Sequence, residues 1–214
     1  STNYDVVKAQ LSIDPVLVEP IRFGHGLRML KQEFWEVLVS YIISANNSIP
    51  QIRRLVEAIC QAYDNRADYL HQTFYAFPSP EQIVDRGEDI LRRIKLGLTR
   101  SDAIFSAAKA LVYKTIDVQS LGTRPDVDMA RRVLQSLHGV GPKIADCTLS
   151  FSGMRKDVFP IDRWMKRAME TLYDQQFANE AAVYRYAERR YGTFMSYAQG
   201  YLFYYAWQKK IGRY

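Results

Sequence analysis

Cysteine is nearly absent. Cys60 and Cys147 are the only two in 214 residues, too few for a disulfide framework or a four-thiolate metal site, and a reducing compartment is the simplest setting. No run of about 18 apolar residues occurs, which excludes a membrane-spanning helix. The opening Ser1-Thr2-Asn3-Tyr4 shows no basic segment followed by an apolar one, so no secretory signal is visible. It also lacks an initiator Met, as expected of a processed or trimmed chain. Glycine (11) and proline (8) are sparse, leaving long stretches free to be helical. Repeats, low-complexity tracts and flexible linkers are missing too, so any subdomains must pack directly together.

What is present is a moderate positive excess and helical periodicity. Lys and Arg number 29 against 23 Asp and Glu, a net charge of +6, which fits a polyanionic partner but is weak evidence alone. Apolar positions recur at helical spacing almost throughout. Residues 33–44 read as a buried helix. Pro50 suits the first turn of a second. Ser79 is a candidate N-cap before Pro80. Further helices are expected over 101–112, 125–137, 143–151, from Asp162 to about Tyr173, 179–191 and 193–209. No alternating strand stands out, although Asp157-Val158-Phe159 could be briefly extended. The chain reads as all-α.

The most informative segment is residues 137–147, Leu-His-Gly-Val-Gly-Pro-Lys-Ile-Ala-Asp-Cys. A helix ends, Gly139 and Gly141 turn the chain, and a new helix begins at Pro142. Glycine permits positive φ and close backbone approach, and the new helix's first amides can hold a DNA phosphate. This is a helix-hairpin-helix pattern, with Gly139, Val140, Gly141 and Lys143 as its backbone-gripping positions. A Schellman-type helix end followed by a proline-started helix is the plainer alternative. Lys143 lies in the first turn, where the positive end of the helix dipole disfavours an ammonium and favours a neutral, nucleophilic amine; a solvated lysine touching phosphate is its bland counterpart. Asp162 is first of all a good N-cap. A carboxylate so placed can also stabilise a developing oxocarbenium charge.

With these residues in view, the chain resembles the helix-hairpin-helix DNA glycosylase superfamily that includes endonuclease III, and within it the 8-oxoguanine DNA glycosylase/AP lyases. The resemblance runs from Gly26–Gln32 through Ile43–Ile49, Lys95–Leu98, Gly139–Cys147 and Pro160–Asp162 to Tyr197–Phe203. It implies that Lys143 attacks C1′ and forms a Schiff base permitting β-elimination, and that Asp162 stabilises the sugar's positive charge and assists proton transfer. The target nucleotide must be flipped out of the duplex. The flipped base would stack between Cys147 and Phe203, with Gln199 on the face of Phe203 bonding its Watson–Crick edge. Without the family, Cys147 and Phe203 would pass as core. Asn46 matches an Asn that contacts DNA where the base left a gap; a helix C-cap is its ordinary reading. The carbonyls of Gln135, Leu137 and Val140 are implied as ligands of a structural monovalent cation. No metal or organic cofactor is needed for the chemistry, and two cysteines rule out the iron–sulfur cluster of the endonuclease III branch.

The chain departs from the family in several places. The N-terminal β-rich domain, with a backbone contact that separates 8-oxoguanine from guanine, has no counterpart, as in a catalytic fragment or a naturally short subfamily. Gln51 stands where the family has an Arg that reads the orphaned cytosine. Arg100 and Ser101 replace the wedge Tyr and its following Arg. Trp164 replaces a phosphate-binding His. A relaxed choice of opposite base follows.

The expected architecture is therefore two helical subdomains with a DNA-binding cleft between them. One is a barrel at 46–140; the other is 1–45 plus 141–214, with the hairpin at the junction. The expected activity is bifunctional excision of 8-oxoguanine from double-stranded DNA by a monomer, in the nucleoid of a bacterium or the nucleus of a eukaryote. Two rivals are another lesion specificity on the same scaffold and a non-catalytic hairpin module that only grips backbone. Cys147, Gln199 and Phe203 speak against the first, and the joint presence of Lys143 and Asp162 against the second.

Overall fold

Side-chain caps mark where many of the helices begin, because the first amides of a helix have no carbonyl upstream to bond. In the computed structural model, which describes residues 2–212, the elements in chain order are α1 (Tyr4–Leu11), α2 (Pro15–Phe23), α3 (Phe34–Ser44), α4 (Ile49–Tyr63), strands β1 (Arg66–Tyr69) and β2 (Gln72–Tyr75), α5 (Pro80–Arg86), α6 (Asp89–Arg93), α7 (Leu98–Val112), α8 (Val127–Gln135), α9 (Pro142–Phe151), α10 (Arg163–Leu172), α11 (Glu180–Tyr191) and α12 (Met195–Lys209). Asp14 caps α2 through the Val16 amide, Ser79 caps α5 through Gln82, and Asn179 caps α11 through Ala182. At the start of α4, Gln51 Oε1 accepts from both the amide (3.3 Å) and the hydroxyl (3.1 Å) of Ser48.

The all-α reading holds, with one addition. β1 and β2 form an antiparallel hairpin pairing Arg66 with Tyr75 and Tyr69 with Gln72. Its residues are exposed on nearly every position, so the alternation that betrays a half-buried strand never arises. Its turn is Leu70-His71, both left-handed, rather than an Asn-Gly pair. Asp157–Phe159 pairs with no strand among the described residues. Nor is any helix among them long and apolar enough to cross a membrane.

The chain divides into two units. One comprises Ser1–Lys31 with Leu149–Tyr214, the other Gln32–Thr148. These boundaries differ from the expected 46–140 core. The whole of α3 and the hairpin through Thr148 go with the central unit, since α3 packs on α4 and α7. In that unit Leu38, Ile43, Ile59, Ile83, Leu91, Ile104 and Leu121 are completely buried, each contributing about 1.5–3 kcal/mol over an exposed side chain. The other unit sets α12 against α2, α10 and α11. Its core gathers Leu17, Phe159, Met165, Met169, Val183, Tyr201 and Leu202.

Candidate active site

The hairpin is shaped by one glycine. After α8 ends, the Leu137 amide donates to Leu134 O (3.1 Å) and the Val140 amide to Leu137 O (3.1 Å). Gly139 adopts φ +76°, and a Cβ there would lie 2.7 Å from the Cβ of Ala103 in α7. Both the dihedral and the contact demand glycine. A Cβ added at Gly141 would meet no protein atom within 4 Å. The Ala145 amide then closes the first turn of α9 on Gly141 O (3.0 Å). A bidentate ion pair ties the two flanking helices: Arg131 Nε to Asp146 Oδ1 at 2.6 Å and Nη2 to Oδ2 at 3.1 Å. The Leu137 carbonyl accepts the Val140 amide within the turn.

Lys143 is the second residue of α9 and half-buried; Cys147, four residues on, shares its face and is 3% exposed. Cys147 has a neighbour that the sequence did not single out, Tyr41 of α3. Burial and the adjacent Cys147 sulfur push the Tyr41 hydroxyl well above its ordinary range. It therefore stays a neutral O–H group beside the thiol. A tyrosine inside the apolar run of residues 34–44 gave no sign of this.

Asn46 is exposed, with φ +55°. The helix-capping role that was its plain alternative falls to Asn47, whose Nδ2 donates to Ile43 O at 2.7 Å. The departures also find structural roles. Gln51 is engaged in the cap of α4. Ser101 is buried and bonds Gly97 O (3.1 Å). Arg100 donates to Leu96 O (3.0 Å) and to Ala45 O (2.5 Å).

The second unit brings Asp162, Gln199 and Phe203 into one neighbourhood. Asp162 is the N-cap of α10, its Oδ1 accepting from the Met165 amide at 2.8 Å. The buried Gln199 donates to Pro160 O, two residues upstream of Asp162, at a long 3.4 Å. Trp164, two residues downstream, meets the Phe203 ring edge-on at 4.8 Å. Its indole N–H donates to Ile211 O (3.0 Å). Where the family has a phosphate-binding His, this chain has an aromatic brace for Phe203.

The family described as HhH-GPD superfamily base excision DNA repair protein matches residues 39–191, and the chain belongs to it. A probable N-glycosylase/DNA lyase of Methanothermobacter thermautotrophicus is 29% identical over 198 residues, covering 84% of this chain and 63% of that relative. An N-glycosylase/DNA lyase of Saccharomyces cerevisiae is 32% identical over 160 residues, covering 69% of this chain and 42% of that relative. The chain thus spans less than two thirds of the length of both. Among solved structures, the Clostridium acetobutylicum 8-oxoguanine glycosylase/lyase, in complex with dsDNA containing cytosine opposite to 8-oxoG, superposes with a TM-score of 0.90 at 30% identity, covering 98% of this chain and 72% of that one.

Proposed function

We propose that this chain is a bifunctional DNA glycosylase/AP lyase that removes 8-oxoguanine from double-stranded DNA. The observation that carries the reading is Lys143 in the first turn of the helix after the Gly139 hairpin, in a chain that belongs to a base excision repair family. The hairpin grips backbone phosphate through helix-start amides and holds the amine at a fixed depth from it. With the nucleotide flipped out, Lys143 Nζ forms a bond to C1′ as the N-glycosidic bond breaks and the base departs with its electron pair and a proton. Asp162 stabilises the positive charge on the sugar and assists the proton transfers. The C1′–O4′ bond then breaks, with O4′ taking a proton to become a hydroxyl, and leaves an iminium between C1′ and Lys143 Nζ. The iminium makes the C2′ proton acidic, and its removal expels the 3′ phosphate by β-elimination.

Cys147 and Phe203 would stack on the base, and the buried Gln199 amide would bond its edge. The Gln199 bond to Pro160 O is long at 3.4 Å and can be exchanged for one to a ligand at little cost. Amine and carboxylate supply the chemistry without a metal or organic cofactor, while the Gln135, Leu137 and Val140 carbonyls would hold a monovalent cation that offsets phosphate charge. With Gln51 and Arg100 both engaged elsewhere, selection of the opposite base should be relaxed. The setting would be the nucleoid or nucleus, where chromosomal DNA lies.

Borohydride trapping on an 8-oxoguanine duplex tests the reading. A covalent adduct that disappears in Lys143→Gln supports it; binding with no adduct in the wild type overturns it and leaves a backbone-gripping module. Asp162→Asn should retain binding and lower turnover by about a hundredfold or more, and undiminished turnover would remove Asp162 from the mechanism.

A further inference from the structure

The turn that carries Asn46 owes its shape to a residue in another helix. The Asn47 amide donates to Ser44 O at 3.2 Å, closing a four-residue turn. Ala45 has φ −59° and ψ 117°, and Asn46 has φ +55°. This is the signature of a type II turn, whose third residue must be left-handed. A type I turn spans the same gap with its central peptide flipped by about 180° and its third residue at negative φ, the region that a residue with a side chain prefers. Local preference alone would therefore favour the flipped form for a non-glycine residue.

What opposes the flip is the Ala45 carbonyl, the oxygen of that central peptide. Arg100 Nη2 donates to it at 2.5 Å, while Nη1 donates to Leu96 O at 3.0 Å. Leu96 is itself flanked by left-handed Lys95 (φ +62°) and Gly97 (φ +87°). The planar guanidinium thus joins two tight turns, and its Nε is buried without a partner. Flipping the peptide would turn the Ala45 oxygen away, break this charge-assisted hydrogen bond and set the Asn46 N–H, a second donor, against the guanidinium cation, which opposes the relief of the left-handed residue.

We propose that Arg100 is a positioning residue that holds the Ser44–Asn47 turn in its type II form and so fixes the direction of the Asn46 amide toward DNA. The inference rests on the assignment of Asn46 as a DNA contact.

A double-mutant cycle decides the matter. Binding to a duplex carrying a stable tetrahydrofuran abasic analogue would be measured for wild type, Arg100→Met, Asn46→Ala and the double variant. Arg100→Met should weaken binding on the order of tenfold. In the Asn46→Ala background the same change should cost almost nothing, because its effect passes through Asn46. The slope of log affinity against log salt should be that of the wild type. Additive losses, or a slope reduced by about one as expected for a lost phosphate contact, would overturn the proposal. Should Arg100→Met melt early, Arg100→Lys, which can bond one of the two carbonyls, should give the same coupled pattern at smaller size. If Asn46→Ala alone changes nothing, the Asn46 assignment fails. If Asn46→Ala weakens binding and the cycle is additive, the role of Arg100 fails and the functional reading stands.

Discussion

At the scale of single residues, Gly139 shows how little room the hairpin leaves. A methyl group there meets two independent penalties, a left-handed backbone and a 2.7 Å approach to the Ala103 Cβ. Gly139→Ala should destabilise the chain by about 2 kcal/mol, read from the urea midpoint. Adding Ala103→Gly should recover only part of the loss, because it removes the clash and leaves the dihedral cost. Full recovery, or none, would show that one of the two penalties is absent. Trp164 illustrates the other side of residue identity. One changed ring converts a position expected to meet phosphate into packing behind Phe203, with its N–H satisfied at Ile211.

At the scale of elements, the junction of α8 and α9 depends on Arg131 and Asp146. Their side chains are 13% and 8% exposed, so removing one leaves the other charged and largely out of water. Arg131→Met should therefore cost about 3 kcal/mol and loosen the hairpin, seen as faster amide exchange across residues 137–145 than in wild type. Unchanged exchange would mean that the turn holds itself without the pair. Much of this element structure was legible in the sequence, since Ser79, Asp162 and Asn179 announce helix starts through side-chain chemistry that acts within three residues. The hairpin 137–147 was legible for the same reason. Features set by distant partners were not. The β1–β2 hairpin carries no periodic pattern, α2 runs through Pro20, which is buried inside it, and Tyr41 acquires its relation to Cys147 only when α3 and α9 have folded. The division of the chain was likewise set by how α3 packs. Lys143 and Asp162 stood out through local chemistry, whereas Cys147, Gln199 and Phe203 rested on the family resemblance.

At the scale of the molecule, chain segments far apart in sequence meet at a buried carboxylate. Asp14 accepts from Arg190 (2.5 and 3.1 Å) and from the Tyr173 hydroxyl (2.7 Å), which also bonds Tyr191. Burial would raise the Asp14 carboxyl, but the hydrogen bonds from Arg190 and Tyr173 outweigh it and hold it below its ordinary range. A depressed native value means that this stabilisation is present above the unfolded value of about 3.9 and is lost as pH falls through the native one. The melting temperature of the wild type should accordingly drop more steeply below about pH 4 than that of Asp14→Asn. At neutral pH the variant should be less stable by roughly 1–3 kcal/mol. Parallel pH profiles would refute the assignment.

The aromatic brace around Phe203 has an optical consequence. The chain contains three tryptophans, and two of them, Trp164 and Trp207, lie with ring centroids 4.8 and 6.2 Å from that of Phe203. The third, Trp35, is buried in the other unit with its N–H on Pro78 O. Two of the three indoles therefore lie beside one side chain, so an occupant settling on Phe203 should change the protein's own fluorescence, with no label attached.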